Sequence, residues 1–282
     1  MSRRFHSFVL DRPLVMGIVN ATPDSFSDGG DHFERDAAIA CGRRMTEEGA
    51  DILDIGGEST RPGAAPVPPA EERRRVVPVI EALARDGAVV SIDTRHVDTM
   101  KAALDAGAAI VNDVTALTAS GAVDLVAARG SSCVLMHMQG EPQTMQANPQ
   151  YDDAPRDIAR FLAARIAACE AAGMPRARIA IDPGIGFGKT VAHNARLIAR
   201  LDVQKALGVA VLVGVSRKAF IGALSKGERP KDRLPGSLAA GLAAVAAGAD
   251  ILRVHDVAPT VQALKVWRAI EAERGDMERN NP

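Results

Sequence analysis

Four side chains suited to a flat polar ligand, Asp93, Asn112, Asp182 and Lys218, stand at or just beyond the ends of short apolar runs. A carboxylate such as Asp182 can accept two N–H bonds from a guanidine-like edge, as it would from arginine. Lys218 only donates, Asn112 donates and accepts, and Asp93 can take a further N–H. Arg253 and His255 flank Val254, and strand alternation puts both on one face, where they could hold an anion. Asn20 closes the earlier run Leu14–Asn20, and a loop of Thr22, Pro23, Asp24, Ser25, Ser27, Asp28, Gly29 and Gly30 follows it. Phe26 is the aromatic inside that loop. An aromatic alone among polar turn residues has no core to serve, so Phe26 is a candidate lid; the competing reading is an ordinary strand-to-helix loop.

The elements that must position these groups alternate along the chain. Apolar, β-branched runs occur at Leu14–Asn20, Ile52–Gly56, Val89–Asp93, Ala109–Asn112, Cys133–His137, Ile179–Asp182, Val209–Ser216 and Ile251–His255. Ala-rich helical patterns lie between them, at Arg35–Glu48, Glu71–Arg85, Val97–Ala106, Ala122–Arg129, Pro155–Ala172, Val191–Leu201, Ser237–Ala247 and Pro259–Glu273. The runs are continuously apolar, as in strands covered on both faces. This order predicts an α/β fold of the (β/α)8 TIM-barrel type. An open doubly wound sheet is the runner-up, but the GxGxxG turn expected after its first strand is replaced by ATPDSF. Asn20, Glu58, Asp93, Asn112, His137, Asp182, Ser216 and His255 all fall at or after strand C-termini, the face where barrels build their sites. Capping of the following helices would explain one or two of them, not the set.

Composition narrows the class. A chain of 282 residues with 47% hydrophobic and 24% charged residues can bury a sizeable core. Net charge of −1 argues against nucleic acid, and 3% aromatics against a base-stacking platform. Three scattered cysteines without a CxxC suit reduced thiols in a cytoplasm. The N-terminus lacks the apolar stretch of a signal peptide, and no 18-residue apolar run is present to span a membrane. Two motifs fail on spacing. Gly184–Thr190 has one residue too few between its first Gly and the Gly-Lys pair for a P-loop. Gly214–Lys218 lacks the closing Gly of a nucleophile elbow. No HExxH or Cys/His cluster points to zinc.

The segments Met16–Gly30 (MGIVNATPDSFSDGG) and Asp54–Gly63 (DIGGESTRPG) resemble the signatures of the dihydropteroate synthase family, pterin-binding barrels of folate biosynthesis. SIDT at Ser91, VND at Val111, LMHMQG at Leu135, DPGIGFGK at Asp182, VGVSRK at Val213 and RVHD at Arg253 extend the resemblance over nearly the whole chain. It implies a single pterin-binding domain over 1–282 that joins 6-hydroxymethyl-7,8-dihydropterin diphosphate to 4-aminobenzoate, giving 7,8-dihydropteroate and diphosphate. A pterin ring has the guanidine-like edge described above, and the resemblance places its pocket on Asp93, Asn112, Asp182 and Lys218. The competing reading of Asp182 and Lys218 is a buried structural ion pair. Met136 and Phe187 would be floor and wall for the ring, with core packing the plainer alternative. Gly214 joins the pocket lining.

The resemblance further implies that Asn20 offers its amide oxygen to Mg2+ and that Asn20, Arg253 and His255 receive the diphosphate; a structural Asn at a turn is the plainer reading of Asn20. Ser216 would hold the carboxylate of 4-aminobenzoate. Phe26 and Asp28 of the first loop, with Thr60, Arg61 and Pro62 of the second, would close over that substrate and are expected to order once Mg2+ and diphosphate are bound. A cytoplasmic homodimer belongs to the same expectation, and the family is a target of sulfonamides. Two other functions stay open: a pterin-dependent methyltransferase serving a corrinoid partner, which would not need the TPDSFSDGG and STRPG loops, and a non-catalytic pterin-binding paralogue, which would carry lesions at Asn20, Phe26, Arg61, Lys218 or Arg253.

Overall fold

Each apolar run becomes a strand of one parallel sheet that closes on itself. The computed structural model describes residues 3–21, 30–58, 66–141 and 144–280. Two short antiparallel strands, β1 (Arg4–Phe5) and β2 (Phe8–Val9), come first. The barrel strands are β3 (Leu14–Asn20), β4 (Ile52–Gly56), β5 (Val90–Asp93), β6 (Ile110–Asp113), β7 (Ser132–Met136), β8 (Ile179–Asp182), β9 (Ala210–Val213) and β10 (Ile251–Val254). They neighbour one another in chain order, and β10 pairs with β3 to close the ring. The helices are α1 (Gly30–Glu47), α2 (Pro69–Arg85), α3 (Val97–Asp105), α4 (Ala122–Ala128), α5 (Ala154–Ala171), α6 (Val191–Ala199), α7 (Asp202–Lys205), α8 (Ala219–Ala223), α9 (Leu234–Ala246) and α10 (Val257–Asn280). This is the (β/α)8 barrel that the strand–helix order predicts.

Differences from the sequence reading are local. The run Val209–Ser216 leaves the sheet after Val213, because the Val215 carbonyl accepts from the Lys218 N–H at 3.2 Å and Arg217 turns to φ +59°. The helix expected over Val191–Leu201 stops at Ala199 and restarts as α7. The N-terminal hairpin and α8 are too short to show a period.

Alternation along the strands sorts side chains into two layers. Val15, Val19, Leu53, Ile55, Val111 and Leu252 pack outward with helix residues such as Val76, Ile158 and Leu197. Leu14, Met16, Ile52, Ile110, Val134, Ala180, Leu212 and Ile251 form a separate buried cluster inside the ring, with Phe5 of the hairpin. Arg3 holds the hairpin there through two bonds to Asp250, at 2.9 and 2.8 Å. Two residues further along four of the strands the interior changes character. Ile52 leads to Asp54, Ile110 to Asn112, Ala180 to Asp182, and Ile251 to Arg253. The apolar layer is thus a floor, and the next layer toward the strand C-termini carries charge.

Candidate active site

Arg253 is the hub of this polar layer. Its Nε donates to Asp54 Oδ2 and its Nη2 to Asp93 Oδ2, both at 2.6 Å. Asn112 Nδ2 also donates to Asp54 Oδ2, at 2.9 Å. Asp54 is fully buried, and its Oδ1 has no hydrogen-bond partner among the described residues. Burial works against the Arg253 charge, but Asp54 and Asp93 overcome it and hold the guanidinium above its ordinary pKa. Burial pushes the Asp93 carboxyl up to about 7, with Arg253 pulling it back and Asp54 adding to the rise.

Asp182 lies at the end of β8, and burial raises its pKa as well. Its Oδ1 accepts from the Gly184 N–H at 2.7 Å. The Lys218 ammonium sits 4.0 Å from the centre of the Phe187 ring, a cation–π arrangement. Met136 is buried at the end of β7, in register with Asp182. Gly214 lies beside Arg253: a Cβ built on it would touch the Arg253 Cβ at 3.9 Å.

On the β9–β10 side, Ser216 Oγ meets His255 Nδ1 at 3.1 Å and accepts from the His255 backbone N–H at 3.2 Å. Ser216, the residue expected to hold the carboxylate of 4-aminobenzoate, thus has His255 as the neighbour of its hydroxyl. Arg217 locks the same two loops together, reaching Asp256 through Nε at 3.0 Å and Nη2 at 2.5 Å. Asn20 closes β3 and pairs in register with Gly56. Among the described residues no group of three His, Cys, Asp or Glu side chains could hold a metal ion.

Not every strand-end residue joins the cluster. Glu58 turns to the loops, accepting from the Val67 N–H at 3.2 Å and from Arg95 at 3.3 Å. His137 packs edge-on against Phe161 of α5 at 5.1 Å. Phe26, Asp28, Thr60, Arg61 and Pro62 lie outside the described residues. Two groups were missed as site candidates: Asp54 and Lys189, each present only as part of a motif, DIGGESTRPG and DPGIGFGK. Asp54 could have been found, since it is a charge inside an apolar strand, two residues beyond the inward-facing Ile52.

A parallel barrel whose C-terminal layer gathers carboxylates, an amide and a guanidinium defines the class. The chain belongs to the pterin-binding enzyme family, whose model, described as "Pterin binding enzyme", matches residues 16–255. It is 51% identical over 267 residues to the dihydropteroate synthase of Neisseria meningitidis serogroup B, covering 93% of this chain and 94% of that protein. A solved dihydropteroate synthase of Xanthomonas albilineans, with 4-aminobenzoic acid, superposes with a TM-score of 0.91 at 53% identity, over 96% of this chain and 99% of that one. The same enzyme in complex with 7,8-dihydropteroate gives 0.86 at 52% identity, over 94% and 96% of the two chains.

Proposed function

We propose that this chain is a dihydropteroate synthase in its own right, condensing 6-hydroxymethyl-7,8-dihydropterin diphosphate with 4-aminobenzoate to 7,8-dihydropteroate and diphosphate. The observation that carries this reading is the convergence of Asp93, Asn112, Asp182, Lys218 and Arg253 in one layer at the strand C-termini. The relatives favour neither the methyltransferase nor the non-catalytic paralogue. Asp182 and Asn112 would bind the donor–acceptor edge of the pterin, Asp93 a ring N–H, and Lys218 the ring acceptors. Phe187 and Met136 would flank its faces.

The amine of 4-aminobenzoate is a weak nucleophile, so catalysis rests on the carbon it attacks. Arg253 and the Ser216–His255 pair would stabilise negative charge as diphosphate departs. Asp93 and Asp182, once ionised, would place negative charge beside the pterin, where positive charge spreads from the methylene. Asn20 fits Mg2+ as a single amide ligand: the nearby carboxylates Asp54 and Asp93 are engaged by Arg253, and Mg2+ takes most of its ligands from phosphate and water. When bound, the ion would neutralise the leaving diphosphate. Phe26, Asp28, Thr60, Arg61 and Pro62 keep their proposed place around 4-aminobenzoate. One catalytic unit would span 1–282 and work in the cytoplasm, a reading that the three free cysteines support. A homodimer would suit the exposed Leu224, which lies beside Phe220, Ile221 and Ala240.

The function is tested by diphosphate release from the two substrates. Release is expected only with both substrates present, and chelated, metal-free enzyme is expected to be strongly depressed. Normal turnover without metal would remove Asn20 and Mg2+ from the reaction.

The Asp93 carboxyl supplies a pH test. A carboxylate must be ionised to accept an N–H without competing as a donor, so pterin binding to Asp93 releases its proton. Affinity through this residue therefore rises with pH across about 7, the value to which burial lifts it, and levels off above. The ratio of wild-type to Asp93→Asn affinity is expected to climb over that range. A ratio that does not change with pH would place Asp93 outside the pterin contact.

A further inference from the structure

Lys189 is buried, with 3% of its surface exposed. All three of its ammonium donors find acceptors: the Phe187 carbonyl at 2.8 Å, His137 Nδ1 at 3.1 Å and the His137 carbonyl at 3.3 Å. His137 belongs to the loop after β7 and Phe187 to the loop after β8. The two loops touch backbone to backbone. A Cβ on Gly184, at φ +70°, would collide with the His137 carbonyl oxygen, and one on Gly188, at φ +62°, would stand 2.5 Å from the Gln139 carbonyl oxygen. Polar backbone brought together this closely needs a donor between its carbonyls, and Lys189 is that donor.

We propose that Lys189 is a positioning residue for the pterin: its ammonium ties the loop after β7 to the loop after β8 and so sets the Phe187 wall on which Lys218 rests. The inference rests on the pterin-binding reading above. An apolar side chain would fill the same space without the cost of burying a charge. That electrostatic cost is visible at both partners. Burial draws the Lys189 pKa down to about 7, with Asp182 opposing the fall and Lys218 adding to it. Burial and then Lys189 bring His137 down to about 3, so its ring is neutral and Nδ1 presents a lone pair to the ammonium. The Phe187 carbonyl, tied at 2.8 Å, is on the residue whose ring lies 4.0 Å from the Lys218 Nζ. The chain of contacts from Lys189 to the pterin pocket is therefore two residues long.

The test is a double-mutant cycle read by calorimetric titration with 6-hydroxymethylpterin, with folding followed by circular dichroism. Lys189→Met is expected to weaken binding about tenfold, and Phe187→Leu by a similar factor. Because the two act through one wall, Lys189→Met made on top of Phe187→Leu is expected to add less than about twofold. A Lys189→Met protein that binds like the wild type, or penalties that multiply in the double variant, would overturn the positioning role. If Lys189→Met does not fold, Lys189→Gln replaces it: its two N–H donors cannot serve all three acceptors, so a partial loss of about threefold is expected, and binding equal to the wild type would overturn the role. A wild type that binds no pterin would overturn the proposed function itself, whereas a wild type that binds and a Lys189 variant that binds equally well would overturn only the role of Lys189.

Discussion

Arg253→Ala is expected to leave the enzyme both nearly inactive and markedly less stable. Asp54 and Asp93 each accept from this guanidinium at 2.6 Å, and Asp54 is fully buried. Removing one partner of a buried ion pair costs about 3–5 kcal/mol, because the remaining charge is left without compensation. Loss of a charge stabiliser at a leaving group lowers turnover by roughly 10²–10³-fold. The two effects separate by a second substitution. Adding Asp54→Asn to Arg253→Ala removes the stranded charge, so denaturant melts should recover part of the stability while turnover stays low. An Arg253→Ala protein that melts with the wild type would show that the three-way pairing contributes nothing to the fold.

Asp182→Asn is expected to weaken pterin binding by about 1.5–3 kcal/mol, the range for hydrogen bonds to charged groups. The substitution keeps the shape of the side chain and its bond from the Gly184 N–H, which reaches Oδ1 at 2.7 Å. It replaces a two-oxygen acceptor by a group that presents an N–H to the pterin's own donors. Burial already raises the Asp182 pKa, so removing the charge should not destabilise the empty protein. Calorimetric titration of folded variant with a pterin decides the matter: affinity equal to the wild type would take Asp182 out of the pocket.

The barrel was legible because a fully covered parallel strand needs continuous apolar residues, and Leu14–Asn20 and Ile179–Asp182 agree with the observed strands end for end. The rim was legible because Asn112, Asp182 and Arg253 break such runs with groups that burial tolerates only in company. Asp54 was harder to see. It sits between Leu53 and Ile55, so its role depends on which way the strand faces, and a shift of one residue would have sent it among the helices. Lys189 was hidden for another reason: two of its three partners, the carbonyls of His137 and Phe187, are backbone and leave no mark in residue type. The left-handed Arg217 is equally invisible, since no glycine announces its φ of +59° and Asp256, which it pairs with, is 39 residues away.

Closure of the ring by β10 has a consequence for how the protein is made. Arg253 follows Asp54 by 199 residues and Asp93 by 160. A chain emerging from the ribosome therefore presents both carboxylates long before their cation exists. Until β10 arrives, β3 also lacks one of its two neighbours. Strands β3 to β9 can pair in order of synthesis, yet dehydrating their charged layer stays unfavourable while Asp54 is uncompensated. The last barrel strand thus acts as a checkpoint in biogenesis: its delivery of Arg253 completes the hydrogen-bonded ring and neutralises the interior in the same event, so that the barrel and the binding pocket mature together.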